Sequence, residues 1–265
     1  QRLDIMKRFK EKTVIVTGGG SGIGRATAIR FAQEGANVVL VGRTAATLEE
    51  TAKAFPQDRT WIHTDNFLTV VCDISVEAQV QEMMKRVVDK FGKIDVLVNN
   101  AGKAMQGKIT ELSSADWKLA IDVNLNGTFY VCQAAMPHLI ASKGNIVNVS
   151  SLSGVGGDWN MAAYNAAKAG ISNLTRTLAL DHGADGVRVN AVNPSVTATE
   201  MTTAIQDNDS KTDKFLDRCP LKRMAKPEDI AATITFLASD DAAMITGVNL
   251  PVDGGVSASN GQPHF

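Results

Sequence analysis

The sequence predicts an α/β protein of one domain built on an open parallel sheet. Three observations carry that prediction. Short apolar, β-branched runs recur along the chain and alternate with stretches of helical periodicity. The first of these runs passes through a glycine-rich turn straight into a helix. Later runs end on small or polar residues, as strands do where a ligand crevice lies beyond their carboxyl ends. At 265 residues the chain is long for one ordinary domain but within the range of a single α/β unit. A chain of this size buries a large core without disulfide or metal staples. No repeat, low-complexity segment or linker divides it. Residues 6–265 therefore read as one domain. Met6-Lys7-Arg8-Phe9 looks more like a natural start than Gln1 does, so residues 1–5 read as an upstream extension.

The elements follow in order. Thr13-Val14-Ile15-Val16 suits a strand buried on both faces. It leads into Thr17-Gly18-Gly19-Gly20-Ser21-Gly22-Ile23-Gly24 and a helix through about Glu34. Strand, glycine turn and helix N-terminus make an anion site, because bare backbone and free N–H groups face the ligand. The strict G-x-G-x-x-G pattern does not fit here; Gly18, Gly22 and Gly24 give G-x-x-x-G-x-G. The second strand, Asn37 to Val41, ends at Gly42-Arg43-Thr44, where a dinucleotide fold often carries an acid for the ribose 2′-hydroxyl of NAD. Gly42 leaves room for a 2′-phosphate, Arg43 can pair with it bidentately, and Thr44 can add a hydroxyl. That argues for NADP(H) over NAD(H).

A helix over about Ala45 to Ala54 precedes a polar segment, Gln57 to Thr69, which reads as a surface excursion. Thr69-Val70-Val71-Cys72 is the third strand. Asp73 at its end either meets an adenine or caps the helix starting near Val76, a role for which Ser75 competes. The fourth strand, Ile94 to Val98, ends at Asn99-Asn100-Ala101-Gly102, where amides and small residues allow close approach to a ligand. Ser113 to about His138 reads as a long helical stretch holding Asn124, with Gly127 positioned to loosen it. An asparagine in an apolar helix is either a satisfied core residue or part of a site. The fifth strand, Asn145 to Val149, delivers Ser150 and Ser151. A glycine loop from Gly154 to Gly157 and Trp159 follow, then a helix carrying Tyr164 and Lys168. Val187 to Val192 is the sixth strand, ending at Asn193-Pro194-Ser195, and Val248 to Val252 the last. The polar region 197–219 reads as an irregular substrate lid. Pro227 opens a helix with Glu228 and Asp229 in its first turn.

Composition excludes several functions. The formal net charge of −1, with both signs scattered, leaves no footprint for nucleic acid or an anionic membrane. Cys72, Cys132 and Cys219 are isolated, which points to a reducing, cytoplasmic setting. His63, His138, His182 and His264 form no ligand cluster, so no metal is expected. No apolar run has the length of a membrane span, and no signal peptide opens the chain.

The chemistry is expected at Tyr164-Asn165-Ala166-Ala167-Lys168. A tyrosine and a lysine four apart share one helix face, and a nearby ammonium lowers a phenol's pKa from about 10. Such a phenol exchanges protons with a substrate oxygen. The same spacing arises on any solvated helix, so its weight comes from what surrounds it.

The whole ordered set resembles the short-chain dehydrogenase/reductase family over nearly the full length. The matching elements are Thr17-Gly18-x-x-x-Gly22-Ile23-Gly24, Asn99-Asn100-Ala101-Gly102, Asn124, Ser151, Tyr164-x-x-x-Lys168 and Asn193-Pro194. The resemblance implies a doubly wound, seven-stranded Rossmann sheet and reversible hydride transfer between a nicotinamide and a carbonyl or secondary alcohol. It also implies a homotetramer or dimer built on the helices containing Asn124 and Tyr164. In that resemblance Tyr164 is the general acid/base, Lys168 lowers its pKa and holds the nicotinamide ribose, and Ser151 bonds the substrate oxygen. Asn124 positions a water linking Lys168 to solvent. Asp73 meets the adenine, Asn99 and Ala101 the adenine ribose, and Pro194, Thr197 and Thr199 the nicotinamide. The chain departs at Ser195, where the family usually has glycine, and at Ser21, where some NADP-dependent members carry a basic residue. Within the family, Gly156-Gly157-Asp158-Trp159 and the ending from Val252 look like bacterial acetoin and 2,3-butanediol dehydrogenases, which generally carry the acid this chain lacks. The expected substrate is a small ketone or diketone. Leu152, Met161 and Trp159 would narrow its pocket, unless Trp159 only packs under the lid. A 3-oxoacyl-thioester reductase, docking an acidic carrier protein on Lys222, Arg223 and Lys226, and a non-catalytic nicotinamide-binding protein are the alternatives.

Overall fold

A computed structural model describes residues 7–56 and 66–262. The expected extension at 1–5 and most of the expected surface excursion, residues 57–65, lie outside the described residues. Among the described residues seven parallel strands form one sheet in the order β3-β2-β1-β4-β5-β6-β7. They are β1 Thr13–Thr17, β2 Asn37–Gly42, β3 Phe67–Val71, β4 Val96–Asn99, β5 Asn145–Val149, β6 Arg188–Pro194 and β7 Asn249–Val252. β1 pairs with both β2 and β4, so the winding reverses there. That switch point is where an open α/β sheet leaves a crevice. The register sets Thr17 beside Val41, Asn99 beside Asn148 and Val149 beside Val192, which brings several strand ends to a common rim.

Alternation along each strand divides the core into two layers. Val14, Val16, Val38, Leu40, Val96 and Val98 pack with Phe31 and Leu48 on one face, together with Ile230, Ile234 and Leu237. Ile15, Val39, Val41 and Leu97 point the other way and pack with Met83, Val131 and Leu139. The helices that supply these faces are α1 Gly22–Gln33, α2 Ala45–Lys53, α3 Glu77–Phe91, α4 Ser114–Ile121, α5 Gly127–Ser142, α6 Ala162–His182 and α9 Pro227–Ala238. β3 begins two residues before the predicted strand and ends before Cys72. Neither Asp73 nor Ser75 caps α3, whose N-cap position is Val76 with no side-chain bond. Asp73 instead accepts the Ser75 N–H at 3.0 Å and its hydroxyl at 2.6 Å, closing a turn of its own.

Two expectations about regularity change. The long helix over Ser113 to His138 is α4 and α5 joined by a π-helical turn, Asp122–Asn126, which ends directly before Gly127. The segment 197–219 is helical rather than irregular: a 3₁₀ turn over Glu200–Thr202, then α7 Thr203–Gln206 and α8 Asp209–Arg218. The polar cluster that suggests a loop contains the capping signal of α8, since Asn208 accepts the Lys211 N–H at 3.0 Å. Asp229 closes the start of α9 by accepting the Lys226 N–H at 2.7 Å.

The glycine turn after β1 is a steric requirement. Gly18 sits at φ +65°, and a Cβ there would fall 2.7 Å from the Asn100 amide nitrogen. A Cβ on Gly24, in the first turn of α1, would collide with the Gly18 carbonyl oxygen. Gly24→Ala should therefore push α1 off the turn and cost roughly 1–3 kcal/mol of stability. Thermal unfolding of the variant beside the wild type reads this, and an unchanged midpoint would contradict the close approach.

Candidate active site

Two adjoining cavities lie along the rim of the sheet. Both are lined by Gly18, Ser21, Ala101, Gly102 and Lys103. One runs on to Ser151, Tyr164, Lys168, Pro194, Thr197 and Thr199. The other runs on to Arg43, Thr44 and Asp73. Together they make one cleft with a basic end and a hydroxyl-rich end. Gly22 and Ile23 open α1 on its floor, with no acidic side chain in that first turn and no side-chain bond from Ser21. Free N–H groups at a helix start, facing bare glycine backbone, suit a pyrophosphate. The cleft thus fits a dinucleotide by shape and by donor set.

The junction of the two cavities is held by hydrogen bonds. The Thr17 hydroxyl accepts the N–H groups of Asn100 and Ala101, each at 3.0 Å, and the Asn100 amide donates to the Thr17 carbonyl at 3.0 Å. Asn124 is fully buried in the π-helical turn and clamps the next loop. Its carbonyl oxygen accepts the Lys103 N–H at 3.0 Å, and its amide donates to the carbonyls of Lys103 at 3.0 Å and Ala120 at 2.8 Å. Core residue and site residue are one role here: a satisfied buried amide that fixes the cleft wall.

The hydroxyl-rich end is stitched to the end of β5. Lys168 is buried and donates from Nζ to the Val149 carbonyl at 2.8 Å. The Ser150 hydroxyl donates to the Lys168 carbonyl at 3.0 Å, and the Asn193 amide donates to the Ser151 carbonyl at 2.7 Å. Tyr164 stands one turn before Lys168, with Nζ 5.6 Å from its ring centroid. Both groups titrate away from their ordinary values. Burial pulls the Lys168 ammonium down to about 8. Burial pushes the Tyr164 phenol up, the Asp158 carboxylate adds to that, and the Ser151 hydroxyl within bonding reach opposes it. Burial dominates, so the phenol stands above rather than below its ordinary value in the protein alone.

Other expected residues divide. Asp73 lines the basic end; the Ser75 hydroxyl bond pulls its carboxyl below the usual range, and the Arg43 charge adds to this. Arg43 is exposed there beside Gly42 and Thr44. The Asn99 side chain points away from the cleft: it is buried and donates to Asn148 Oδ1 at 2.9 Å, and its neighbour Asn100 lines the wall. Leu152 begins a 3₁₀ turn outside the cavity lining. Trp159 is 92% exposed, so it neither narrows the pocket nor packs under the lid. Sequence reasoning missed Thr47, Lys103 and the pair Ser153 and Asp158, which sit in or beside the cleft. No period or motif marks them; the Gly156-Gly157-Asp158-Trp159 stretch was the one available signal. Among the described residues no cluster suited to a metal occurs and no helix is long and apolar enough to cross a membrane.

Comparison with known proteins extends these observations. Residues 18–257 match a family model described as enoyl-(acyl carrier protein) reductase. The chain is 46% identical over 256 residues to meso-2,3-butanediol dehydrogenase of Serratia marcescens, covering 97% of this chain and 98% of that one. It is 38% identical to the 3-oxoacyl-[acyl-carrier-protein] reductase of Thermotoga maritima over 94% and 99% of the two chains. A solved short-chain dehydrogenase/reductase of Caenorhabditis elegans with cofactor superposes with a TM-score of 0.86 at 37% identity, covering 96% of this chain and 98% of that one.

The burial of Lys168 has a measurable consequence. Below pH about 8 the folded and unfolded chains both carry this charge, and the folded state bears the burial penalty. Between about 8 and 10.5 the folded lysine is neutral while the unfolded one stays protonated, so its contribution makes stability rise with pH. Lys168→Met should remove that rise, on the order of 3 kcal/mol across the window. The raised thiols of Cys72, about 11, and Cys132, about 12, act oppositely but cancel between variant and wild type. Parallel pH-dependent denaturant titrations that show the same slope for both proteins would refute the depressed lysine.

Proposed function

The chain belongs to the short-chain dehydrogenase/reductase family, and from that premise we propose that it transfers a hydride reversibly between NADP(H) and a small ketone, diketone or secondary alcohol. The observation that carries this is the convergence of Tyr164, Ser151 and Lys168 on one wall of a cleft whose other end carries Arg43. The bound nicotinamide supplies or accepts the hydride; the protein's own residues manage the proton and the geometry. Tyr164 donates its phenolic proton to the carbonyl oxygen in reduction and recovers one from the alcohol in oxidation. Ser151 holds the same oxygen. Lys168, fixed to Val149, presents its remaining ammonium hydrogens to the ribose and the developing phenolate. A phenol kept neutral by burial is the donor that reduction needs. Oxidation needs the phenolate and so gains as pH rises.

The basic end supports the phosphorylated cofactor. Gly42 opens space at the end of β2, and Arg43 and Thr44 line it with no acidic residue at the strand end. Asn99, Ala101, Pro194, Thr197 and Thr199 complete the proposed cofactor set through backbone or hydroxyl groups, and residues 197–219 act as the lid over substrate. The resemblance to a butanediol dehydrogenase supports a compact diketone or hydroxyketone. A homotetramer joined through the α5 and α6 faces, in a cytoplasmic setting, completes the reading; Phe129 and Ile140 stand exposed beside Leu174 on that surface.

A second reading has relatives behind it: reduction of acyl-carrier-protein thioesters. It needs a free basic surface. Lys222 is tied to the carbonyls of Leu216 and Asp217 at 3.1 and 3.2 Å, and Arg223 grips Asp229 at 2.6 and 3.1 Å. Two of the three basic residues thus already close α8 and α9, which leaves the small-carbonyl reading ahead. A non-catalytic binding role ranks below both, since the reactive residues are all present and converge.

Tyr164→Phe should lower kcat by about 10²–10⁴-fold while cofactor binding, followed by fluorescence, persists. Near-normal turnover would remove the phenol from the mechanism. Arg43→Ala should weaken NADPH about 10–100-fold, the scale of a lost charge-assisted bond, and leave NADH little changed. Equal losses for both cofactors would rule out phosphate pairing. A panel of diketones, hydroxyketones, cyclic ketones and acyl thioesters with both cofactors separates the substrate readings.

A further inference from the structure

The two cavities divide the cleft much as a dinucleotide is itself divided. Gly18, Ser21, Ala101, Gly102 and Lys103 line both, so whatever joins a ligand's two halves crosses between these residues. In a nicotinamide dinucleotide that joining group is the diphosphate, an anion that NADPH and NADH share. Four of the five residues at the crossing offer only backbone or a hydroxyl. Lys103 alone brings a charge.

The other charges of the cleft lie elsewhere. Arg43 and Asp73 line only the cavity at the basic end, and Glu200 lines only the other. Lys168 is buried and bonded to the Val149 carbonyl at 2.8 Å. The turn from Gly18 to Gly24 contains no charged side chain. The start of α1 supplies free N–H groups and about half a positive charge. A diphosphate drawn from water into this crossing keeps more negative charge than the helix end balances, and an anion left without a partner there is costly.

Lys103 stands where it can provide the balance. Asn124 fixes its backbone from both sides, accepting the Lys103 N–H at 3.0 Å and donating to the Lys103 carbonyl at 3.0 Å. The loop before it lies close against the glycine turn, since a Cβ built on Gly18 would meet the Ala101 Cα at 3.0 Å. Lys103 follows two residues later, no more than about 7.6 Å of backbone away. Its side chain is exposed, and among the described residues its ammonium has no hydrogen bond or ion pair. A clamped backbone carrying a flexible four-carbon stem and an unpaired cation suits contact with a ligand anion.

We propose that Lys103 is a cofactor-binding residue whose ammonium pairs with the diphosphate of the bound dinucleotide, together with the N-terminus of α1. This rests on the reading of the cleft as a nicotinamide dinucleotide site. The two exposed basic residues of the cleft then have separate tasks. Arg43 favours the cofactor that carries a 2′-phosphate, whereas Lys103 holds a group common to both cofactors. Lys103 therefore raises affinity without choosing between NADPH and NADH.

The test is calorimetric titration of the wild type, Lys103→Met, Lys103→Arg and Arg43→Ala with NADPH, NADH and ADP-ribose, at low and high salt. Methionine keeps an unbranched stem without the charge, and the Asn124 clamp survives because it uses only the backbone of residue 103. Lys103→Met should weaken all three ligands by a similar factor, about 10–100-fold, the scale of a lost charge-assisted bond. Lys103→Arg should recover most of that loss, and the salt dependence of Kd should be shallower in Lys103→Met than in the wild type. Arg43→Ala should weaken NADPH alone. Unchanged NADH affinity in Lys103→Met would mark a merely solvated lysine and overturn the assignment. A loss confined to NADPH would place the ammonium at the 2′-phosphate, and a loss that vanishes with ADP-ribose would place it at the nicotinamide end; either result rejects the diphosphate. A wild type that binds neither NADPH nor NADH sinks the dinucleotide reading itself. A wild type that binds both, beside an equally tight Lys103→Met, sinks this assignment alone.

Discussion

Burying the Lys168 ammonium under the carboxyl ends of the sheet is the constraint around which the site is arranged. A lone buried charge is costly, and this one has the Val149 carbonyl as its protein partner at 2.8 Å. That bond, with the Ser150 hydroxyl donating back to the Lys168 carbonyl, fixes α6 against β5 at one helical turn. Tyr164 then has no freedom to stand elsewhere, because it lies one turn earlier on the same face. The cleft wall opposite is fixed by a second buried polar group, Asn124, which holds the Lys103 loop from both its N–H and its carbonyl.

These two groups show how the fold keeps reactive residues poised. Each is surrounded by packed strands and helices, so its hydrogen bonds are strong and their loss would leave a desolvated group unpaired. The same burial raises the phenol and lowers the ammonium, driving the two pKa values apart. Groups displaced in opposite directions within one pocket are a common mark of acid/base sites. Solvent-side charge differs: Arg43 is exposed and lines one end of the cleft.

Legibility in the sequence followed the range of the interaction. Strand runs such as Asn145–Val149 were read to the residue, because a strand buried on both faces must be apolar and β-branched almost throughout. The glycine turn was read because close approach to Asn100 and to its own carbonyl forbids a Cβ. The helices over 197–219 were missed: Asp207, Asn208, Asp209 and Ser210 suit a loop and a helix start equally, and only the bond from Lys211 to Asn208 decides. Asn99 and Asn100 are adjacent amides that alternation sends to opposite sides, and no local signal says which faces the cleft.

The sequence by itself determined the parallel α/β sheet, the glycine turn, the order in which reactive residues arrive, and the absence of an acid at the end of β2. These depend on period, on residue shape and on near neighbours along the chain. The tertiary structure alone decided that burial holds the Tyr164 phenol above its ordinary value, that Trp159 stands in solvent, and that Ser153 joins Ser151 to Asp158. Each of these depends on how much water a side chain loses and what lies across the turn from it, and desolvation is set only when distant segments close together.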